Sequence, residues 1–153
     1  MATGSVSAID REEYILIATN SPTSGSTSTF SGLSGYKKYL IIANAITGTA
    51  NCQIKATFNN NTSNYFGMLQ ATTAIYDGIL CIHDSGASTG YFQLEVNYAN
   101  STTSPKICTG FDRPSCQVTY GYWNNTSAIT SIELVRSTGT YTGGTFSLYG
   151  IAG

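Results

Sequence analysis

Short runs in which apolar and polar residues alternate recur along the chain. The clearest is Phe92-Gln93-Leu94-Glu95-Val96-Asn97-Tyr98, in which every second residue is apolar and the residues between them are polar. Successive side chains of a β-strand point to opposite faces of a sheet, so this period predicts a strand with one face in a core and the other in solvent. The segments Cys52 to Phe58 and Ile132 to Leu134 follow the same pattern.

Clusters of Gly, Ser, Asn and Thr separate these runs, and helix patterns are nearly absent. Ten strands are predicted: Glu13 to Thr19, Ser26 to Phe30, Tyr39 to Ile46, Cys52 to Phe58, Ile79 to His83, Phe92 to Tyr98, Lys106 to Thr109, Gln117 to Trp123, Ser131 to Val135 and Thr145 to Ile151. Turn-forming pairs, including Asp77-Gly78 and Gly143-Gly144, would connect them. Half-buried strands at this spacing predict an all-β antiparallel sandwich.

The chain has the length of one domain. Its 153 residues contain no linker, so residues 12–153 are predicted to form a single sandwich domain. Residues 1–11 lack periodicity and are predicted to be a flexible N-terminal arm. The densest charge cluster, Asp10-Arg11-Glu12-Glu13, lies where this arm meets the domain.

Charged residues are scarce. They make up 10% of the chain, with a net charge of -1, whereas typical soluble domains have roughly 25%. No basic field is present to attract nucleic acid, and no apolar run approaches the ~18 residues of a membrane span. The first residues lack the basic and apolar regions of a signal peptide, so we expect synthesis in a cytosol.

The residues needed for catalysis or metal binding are also scarce. His83 is the only histidine, and no CxxC pair is present among Cys52, Cys81, Cys108 and Cys116, which are expected to be buried thiols. The scattered carboxylates are Asp77, Asp84, Glu95, Asp112 and Glu133; Glu95 and Glu133, flanked by apolar residues, are expected on solvent faces. We therefore expect no enzyme activity, no metal and no cofactor.

Tyrosine is abundant, with 11 residues. Most of these rings are expected to pack within sheets or between subunits, because aromatic residues favour strands. The alternative is a platform that stacks on sugar rings, for which Tyr120, Tyr122 and Trp123 are the candidates. Tyr120 and Tyr122 share one face of the predicted strand, and Trp123 takes the other.

An ordered set of motifs runs through the chain. They are Phe30-Ser31-Gly32-Leu33 with Tyr36 to Ile42, Phe58-Asn59-Asn60-Asn61-Thr62-Ser63-Asn64-Tyr65, Trp123 with Ala128-Ile129-Thr130-Ser131-Ile132, and Phe146-Ser147-Leu148-Tyr149-Gly150-Ile151. Together they resemble, over about 120 residues, small structural proteins of tailed-bacteriophage particles. The second motif carries Asp in that group where this chain has Asn61, so no role for that carboxylate is carried over.

The resemblance implies a jelly-roll-like sandwich that assembles as a homotrimer in the virion, after synthesis in the bacterial host cytoplasm. It implies a capsid decoration (cement) protein that binds the major capsid protein and stabilises the head. Asp10, Arg11, Glu12 and Glu13 are the predicted contacts with the shell or a neighbouring subunit. One alternative is a tail-fibre or receptor-binding domain that recognises host surface glycans, and another is a cellular carbohydrate-binding module.

Overall fold

The computed structural model describes residues 12–69, 72–82, 89–113 and 116–153. These residues form twelve β-strands and no helix. The strands are β1 (Ile15–Asn20), β2 (Thr27–Ser31), β3 (Tyr36–Gly48), β4 (Ile54–Phe58), β5 (Tyr65–Leu69), β6 (Thr72–Tyr76), β7 (Ile79–Ile82), β8 (Gly90–Asn97), β9 (Lys106–Arg113), β10 (Val118–Trp123), β11 (Ser131–Arg136) and β12 (Tyr141–Ala152). The described part of the chain thus contains no helix that could cross a membrane.

The strands form two antiparallel sheets. The large sheet has the order β1-β12-β3-β8-β9-β10-β5-β6, and the small sheet has the order β2-β11-β4-β7. The chain passes repeatedly between them: β2, β4, β7 and β11 belong to the small sheet, and the strands before and after each of them belong to the large one. This arrangement confirms the predicted all-β sandwich of jelly-roll type.

The core lies between the sheets and is formed by the inward side of each alternating strand. Ile41, Leu94 and Leu148 of the large sheet and Ile132 and Leu134 of the small sheet are all fully buried. Burying each such side chain stabilises the fold by about 1.5–3 kcal/mol before the entropy of ordering the chain is subtracted. The alternation seen in the sequence therefore predicts the face of most strands correctly.

An aromatic cluster joins the two sheets. Phe58 of the small sheet lies 5.9 Å from the ring of Tyr65 and 5.7 Å from that of Trp123, both in the large sheet. Tyr65 and Trp123 stack at 5.9 Å, and the Phe58 backbone N–H donates to the Tyr65 hydroxyl. These contacts fix the sheets to each other at this end of the sandwich.

All ten predicted strands are present, and two were missed. The missed strands are β5 and β6, whose residues do not alternate simply between apolar and polar. The expectation that Gly143-Gly144 forms a turn between strands is wrong, because both glycines lie inside β12. Of the predicted buried thiols, Cys52, Cys81 and Cys108 are buried, whereas Cys116 is exposed.

Candidate functional site

The outer face of the large sheet exposes large apolar side chains. We call the following set the apolar face: Ile42, Tyr91, Tyr98, Ile107, Phe111, Val118, Tyr120 and Tyr122. Strand register brings its members together, because Tyr122 pairs with Ile107 and Val118 pairs with Phe111 across β9 and β10. Each of these side chains is between 37% and 56% exposed. Gln93 of β8 lies between Ile42 and Phe111, so the members on β9 and β10 form the centre of this surface. Apolar side chains concentrated on one face in this way mark interaction sites.

A groove of about 640 Å³ crosses the apolar face. We call it the tyrosine groove; its lining residues are Phe66, Gly67, Tyr98, Ser104, Pro105, Ile107, Cys108, Thr109, Tyr120, Gly121 and Tyr122. Gly67, Gly121 and Cys108 are paired neighbours on β5, β10 and β9, and their backbones form the floor between outward side chains. None of the lining residues carries a charge.

The floor of the groove depends on Gly121. A Cβ at this position would lie 2.8 Å from the Phe66 carbonyl oxygen and 3.0 Å from the Ile79 Cδ1 atom of the small sheet. The absence of a side chain allows β5 and β7 to approach this part of β10 closely. Above the floor, the rings of Phe66 and Tyr122 stack at 4.9 Å with an interplanar angle of 11°.

Tyr98 reaches the groove through an unusual backbone conformation. It follows the end of β8 and has a φ of 61°, in the left-handed region. The backbone N–H of the next residue, Ala99, donates to the Lys37 carbonyl at 2.9 Å. Tyr98 thus lines the groove from outside the strand, which alternation within β8 could not have predicted.

Lys106 supports the rim of the groove from the inside. Its side chain is fully buried, and its Nζ donates to the carbonyls of Ser101 at 2.8 Å and Ser104 at 3.0 Å. Burial lowers the pKa of this amine. The ammonium group therefore holds the loop that carries Ser104 and Pro105, and its charge is not presented to a ligand.

Charges lie on β3 and β8, between Ile42 and the β9 and β10 members of the apolar face. Glu95 forms an ion pair with Lys38 at 3.5 Å, and it accepts hydrogen bonds at 2.9 Å from Asn97 and from the Tyr14 hydroxyl. Partial burial raises the pKa of Glu95, but these hydrogen bonds and the Lys38 charge outweigh it and lower the pKa overall. Burial and the bond to Glu95 raise the pKa of Tyr14 to about 12.

Two of the three residues of the predicted aromatic platform lie on the surface. Tyr120 and Tyr122 are exposed on the same face. Trp123 is 1% exposed, so its inclusion in a binding surface is wrong: it points to the inner side of β10, into the aromatic cluster with Phe58 and Tyr65. The strand's own alternation already places Trp123 opposite the two tyrosines.

Two of the four predicted charged contacts, Glu12 and Glu13, lie at the start of the described chain. Glu12 forms ion pairs with Lys37 at 3.0 Å and Lys38 at 3.9 Å, and Lys37 lowers the pKa of this carboxyl by hydrogen bonding and charge. Glu13 is exposed. Asp10 and Arg11 lie outside the described residues.

Two of the scattered carboxylates within the described residues, Glu133 and Asp77, have structural partners. Glu133, expected on a solvent face, is buried and accepts hydrogen bonds from the hydroxyls of Thr57 at 3.0 Å and Ser131 at 2.5 Å. Asp77 is ion-paired with Lys55, which lowers the pKa of the carboxyl. His83 and Asp84 lie outside the described residues, and elsewhere no cluster of three His, Cys, Asp or Glu side chains could hold a metal.

Comparison with known proteins gives only distant likeness. No family model and no curated protein matches the chain. Two crystal structures of scytalido-glutamic peptidase, one with a transition state analog inhibitor and one with a peptide-based transition state analog, have TM-scores of 0.38 and 0.34, each at 13% identity. The alignments cover 75% and 88% of this chain but 64% and 65% of the peptidase chains, less than two thirds. Neither a shared activity nor a shared substrate follows from this level of similarity.

Proposed function

We propose that this chain is a structural protein of a bacteriophage particle, where it decorates the capsid as a homotrimer and stabilises the head. The resemblance in sequence supports this proposal, and its motif residues also determine the fold. Phe30, Phe58, Ile132, Phe146 and Leu148 are all buried in the core between the sheets. The motifs therefore specify the sandwich itself, and the function must reside on its surface.

The observation that carries the proposal is the apolar face. Large, uncharged side chains on an exposed sheet are costly for a protein that stays alone in water, and they are well suited to a component covered by other proteins. Tyr residues supply contact area at a low entropic cost. A decoration protein needs such surfaces toward its own copies and toward the shell, and it needs no catalytic group.

The first described residues support the predicted role of the N-terminal arm. Ion pairs from Glu12 to Lys37 and Lys38, and the hydrogen bond from Tyr14 to Glu95, hold residues 12–14 against β3 and β8 of the large sheet. The chain thus enters the fold beside the apolar face. Residues 1–11 are proposed to contact the shell from this position.

Binding to undecorated phage heads tests the proposal. Purified protein should bind saturably to heads that lack it, as measured by cosedimentation, and should raise the temperature at which the heads release their DNA. Deleting residues 1–11 should remove binding while the circular dichroism spectrum and melting temperature of the domain stay unchanged. Thr27→Lys, an exposed change in the small sheet, is the control and should bind normally. Full-strength binding by the deletion variant would reject the role of the arm, and no binding by the intact protein would reject decoration.

Recognition of host glycans is a second candidate, favoured by the tyrosine groove. Three tyrosine rings, Tyr98, Tyr120 and Tyr122, are exposed along it, and sugar rings stack on such surfaces. A glycan array should then give a ligand whose binding Tyr122→Ala abolishes. Trp123→Phe is the matched control, since Trp123 lies on the opposite side of the same strand and should not affect affinity. An array without any bound glycan would count against this candidate.

A further inference from the structure

The centre of the apolar face is without charge. On the outer side of β9 and β10 the described side chains are uncharged except Arg113, which lies over the Tyr91 ring at 5.9 Å. On the neighbouring strands β3 and β8 the charges of Lys38 and Glu95 are already paired with each other. An incoming partner would therefore meet an apolar centre whose flanking charges have partners, which lowers the cost of desolvation.

The apolar face exposes enough area to form the central part of a protein contact. The eight side chains of the apolar face expose roughly 700 Å², if a fully exposed aromatic or aliphatic side chain contributes about 150–250 Å². A standard protein interface buries about 800 Å² per partner. The largest apolar patches of monomers reach about 300–600 Å². Because a ridge-to-groove contact in a trimer divides the apolar face between two neighbours, each contact draws on about half of this summed area and extends beyond the face to reach the standard size.

The shape of the face gives it two complementary parts. Phe111 and Val118 are paired across β9 and β10 and stand beside the tyrosine groove without lining it. Both side chains are about half exposed, and we call this apolar pair the ridge. The groove next to it is lined by residues that include Ile107, Tyr120 and Tyr122. A ridge and a groove on one face allow the ridge of one copy to enter the groove of the next about a rotation axis.

We propose that the apolar face is the contact between copies of this chain, with the Phe111–Val118 ridge of one copy packed in the tyrosine groove of its neighbour. This inference deepens the proposed homotrimer and rests on it for the number of copies. An apolar protein surface suits the groove better than a sugar does, because the groove offers mainly rings and aliphatic carbon, with few groups to bond a sugar's many hydroxyls.

Sedimentation equilibrium of the full chain tests the contact. Wild type should be oligomeric at about 10 µM. Val118→Lys on the ridge and Ile107→Lys in the groove should each raise the dissociation constant at least about 100-fold, since either change buries an unpaired ammonium group. Thr27→Lys places the same charge on an exposed β-branched position of the small sheet and should leave the constant unchanged. Circular dichroism confirms that each variant is folded.

The outcomes separate this inference from the proposed function. A monomeric wild type, or an oligomer unaffected by both lysine variants, would overturn the contact even if the protein still bound phage heads. An oligomer that both variants dissociate establishes the contact even if head binding is absent, and in that case only the decoration function fails. Loss of the oligomer in Thr27→Lys as well would show a nonspecific effect of charge and would also overturn the contact.

Discussion

At the scale of single residues, Asn59 shows how much one side chain can organise. It follows β4 and has a φ of 55°. Its side-chain oxygen accepts hydrogen bonds from the Thr130 N–H at 2.7 Å, the Thr130 hydroxyl at 3.1 Å and the Ser131 N–H at 3.2 Å, and its amide donates to the Ala128 carbonyl at 2.9 Å. Asn59 thus joins the turn after β4 to the segment that leads into β11.

Asn59→Ala should lower the free energy of unfolding by about 2–4 kcal/mol, because it removes four hydrogen bonds and leaves an alanine at positive φ. Urea denaturation measures this loss. Asn60→Ala is the matched control: Asn60 has a φ of 53°, and its contact with Glu133 is made by the backbone N–H. It should cost only about 1–2 kcal/mol. Equal losses in the two variants would show that backbone conformation alone accounts for the effect.

The residue scale is also where sequence reasoning was least successful. Alternation correctly places Glu133 on the side of β11 opposite Ile132 and Leu134, but that side is not open to water there. The Asn60 backbone and the hydroxyls of Thr57 and Ser131 surround the carboxylate. These contacts come from residues as much as 76 positions away, and a pattern of period two contains no information about them.

At the scale of elements, the two longest strands contain matched irregularities. The β12–β3 pairing changes register between Gly143 and Thr145, and β3 shifts its pairing with β8 between Ala43 and Ile46. Ala45 has a φ of 55° and Gly144 a φ of 94°, so both strands bulge at the same place. In the sequence, the pair Gly143-Gly144 at this place predicts a turn. A glycine pair signals positive φ equally well in a turn and in a bulge.

Gly144→Ala should destabilise the protein by about 3 kcal/mol or more, because the new Cβ would lie 2.5 Å from both the Ala45 carbonyl oxygen and the Ile46 Cα, at a backbone φ disfavoured for alanine. Gly143→Ala is the control, since its Cβ would meet only the Thr47 hydroxyl oxygen at 3.2 Å. Its cost should be under about 1 kcal/mol. Thermal melts of both variants give the comparison, and similar melting temperatures would contradict a specific role for Gly144.

The strands themselves were predictable where one face is core and the other solvent. β8 is the best example, since buried residues alternate with exposed or half-buried residues along its whole length. β5 and β6 lack this signal, because Tyr65-Phe66-Gly67-Met68-Leu69 is apolar almost throughout. Because β5 is not predicted from the sequence, the groove is not predicted either: Phe66 and Gly67 line it, and they are positioned by pairing with β10. The register between two distant strands cannot be deduced from the sequence of either strand alone.

At the scale of the whole molecule, charged residues are few, and several buried groups that ionise at alkaline pH make the free energy of unfolding depend on pH. Burial raises the pKa of Tyr39 to about 12 and raises those of Tyr65 and Tyr141 further. Burial also raises the pKa of the Cys81 and Cys108 thiols. In the unfolded chain tyrosine ionises near pH 10 and cysteine near pH 8.5.

The unfolded state therefore loses protons before the folded state does as pH rises. The stability that these groups contribute is fully present below their unfolded pKa values and is lost as pH rises toward their folded ones. In the presence of a reducing agent, the free energy of unfolding should begin to fall near pH 9. Between about pH 10.5 and 12 Tyr65 and Tyr141 should each add up to about 1.4 kcal/mol per pH unit to the slope, and Tyr39 should add about 1 kcal/mol per pH unit, because its pKa in the folded state is about 12.

Urea denaturation across this range, with Tyr39→Phe beside wild type, tests that account. Removing the Tyr39 hydroxyl should reduce the slope between about pH 10.5 and 12 by about 1 kcal/mol per pH unit, because one fewer group ionises mainly in the unfolded chain. Ile41→Val is the control: it truncates a fully buried side chain of the same strand and should cost about 1 kcal/mol equally at every pH. A wild-type stability that stays constant to pH 11.5, or an unchanged slope in Tyr39→Phe, would show that the buried tyrosines reach water before they ionise.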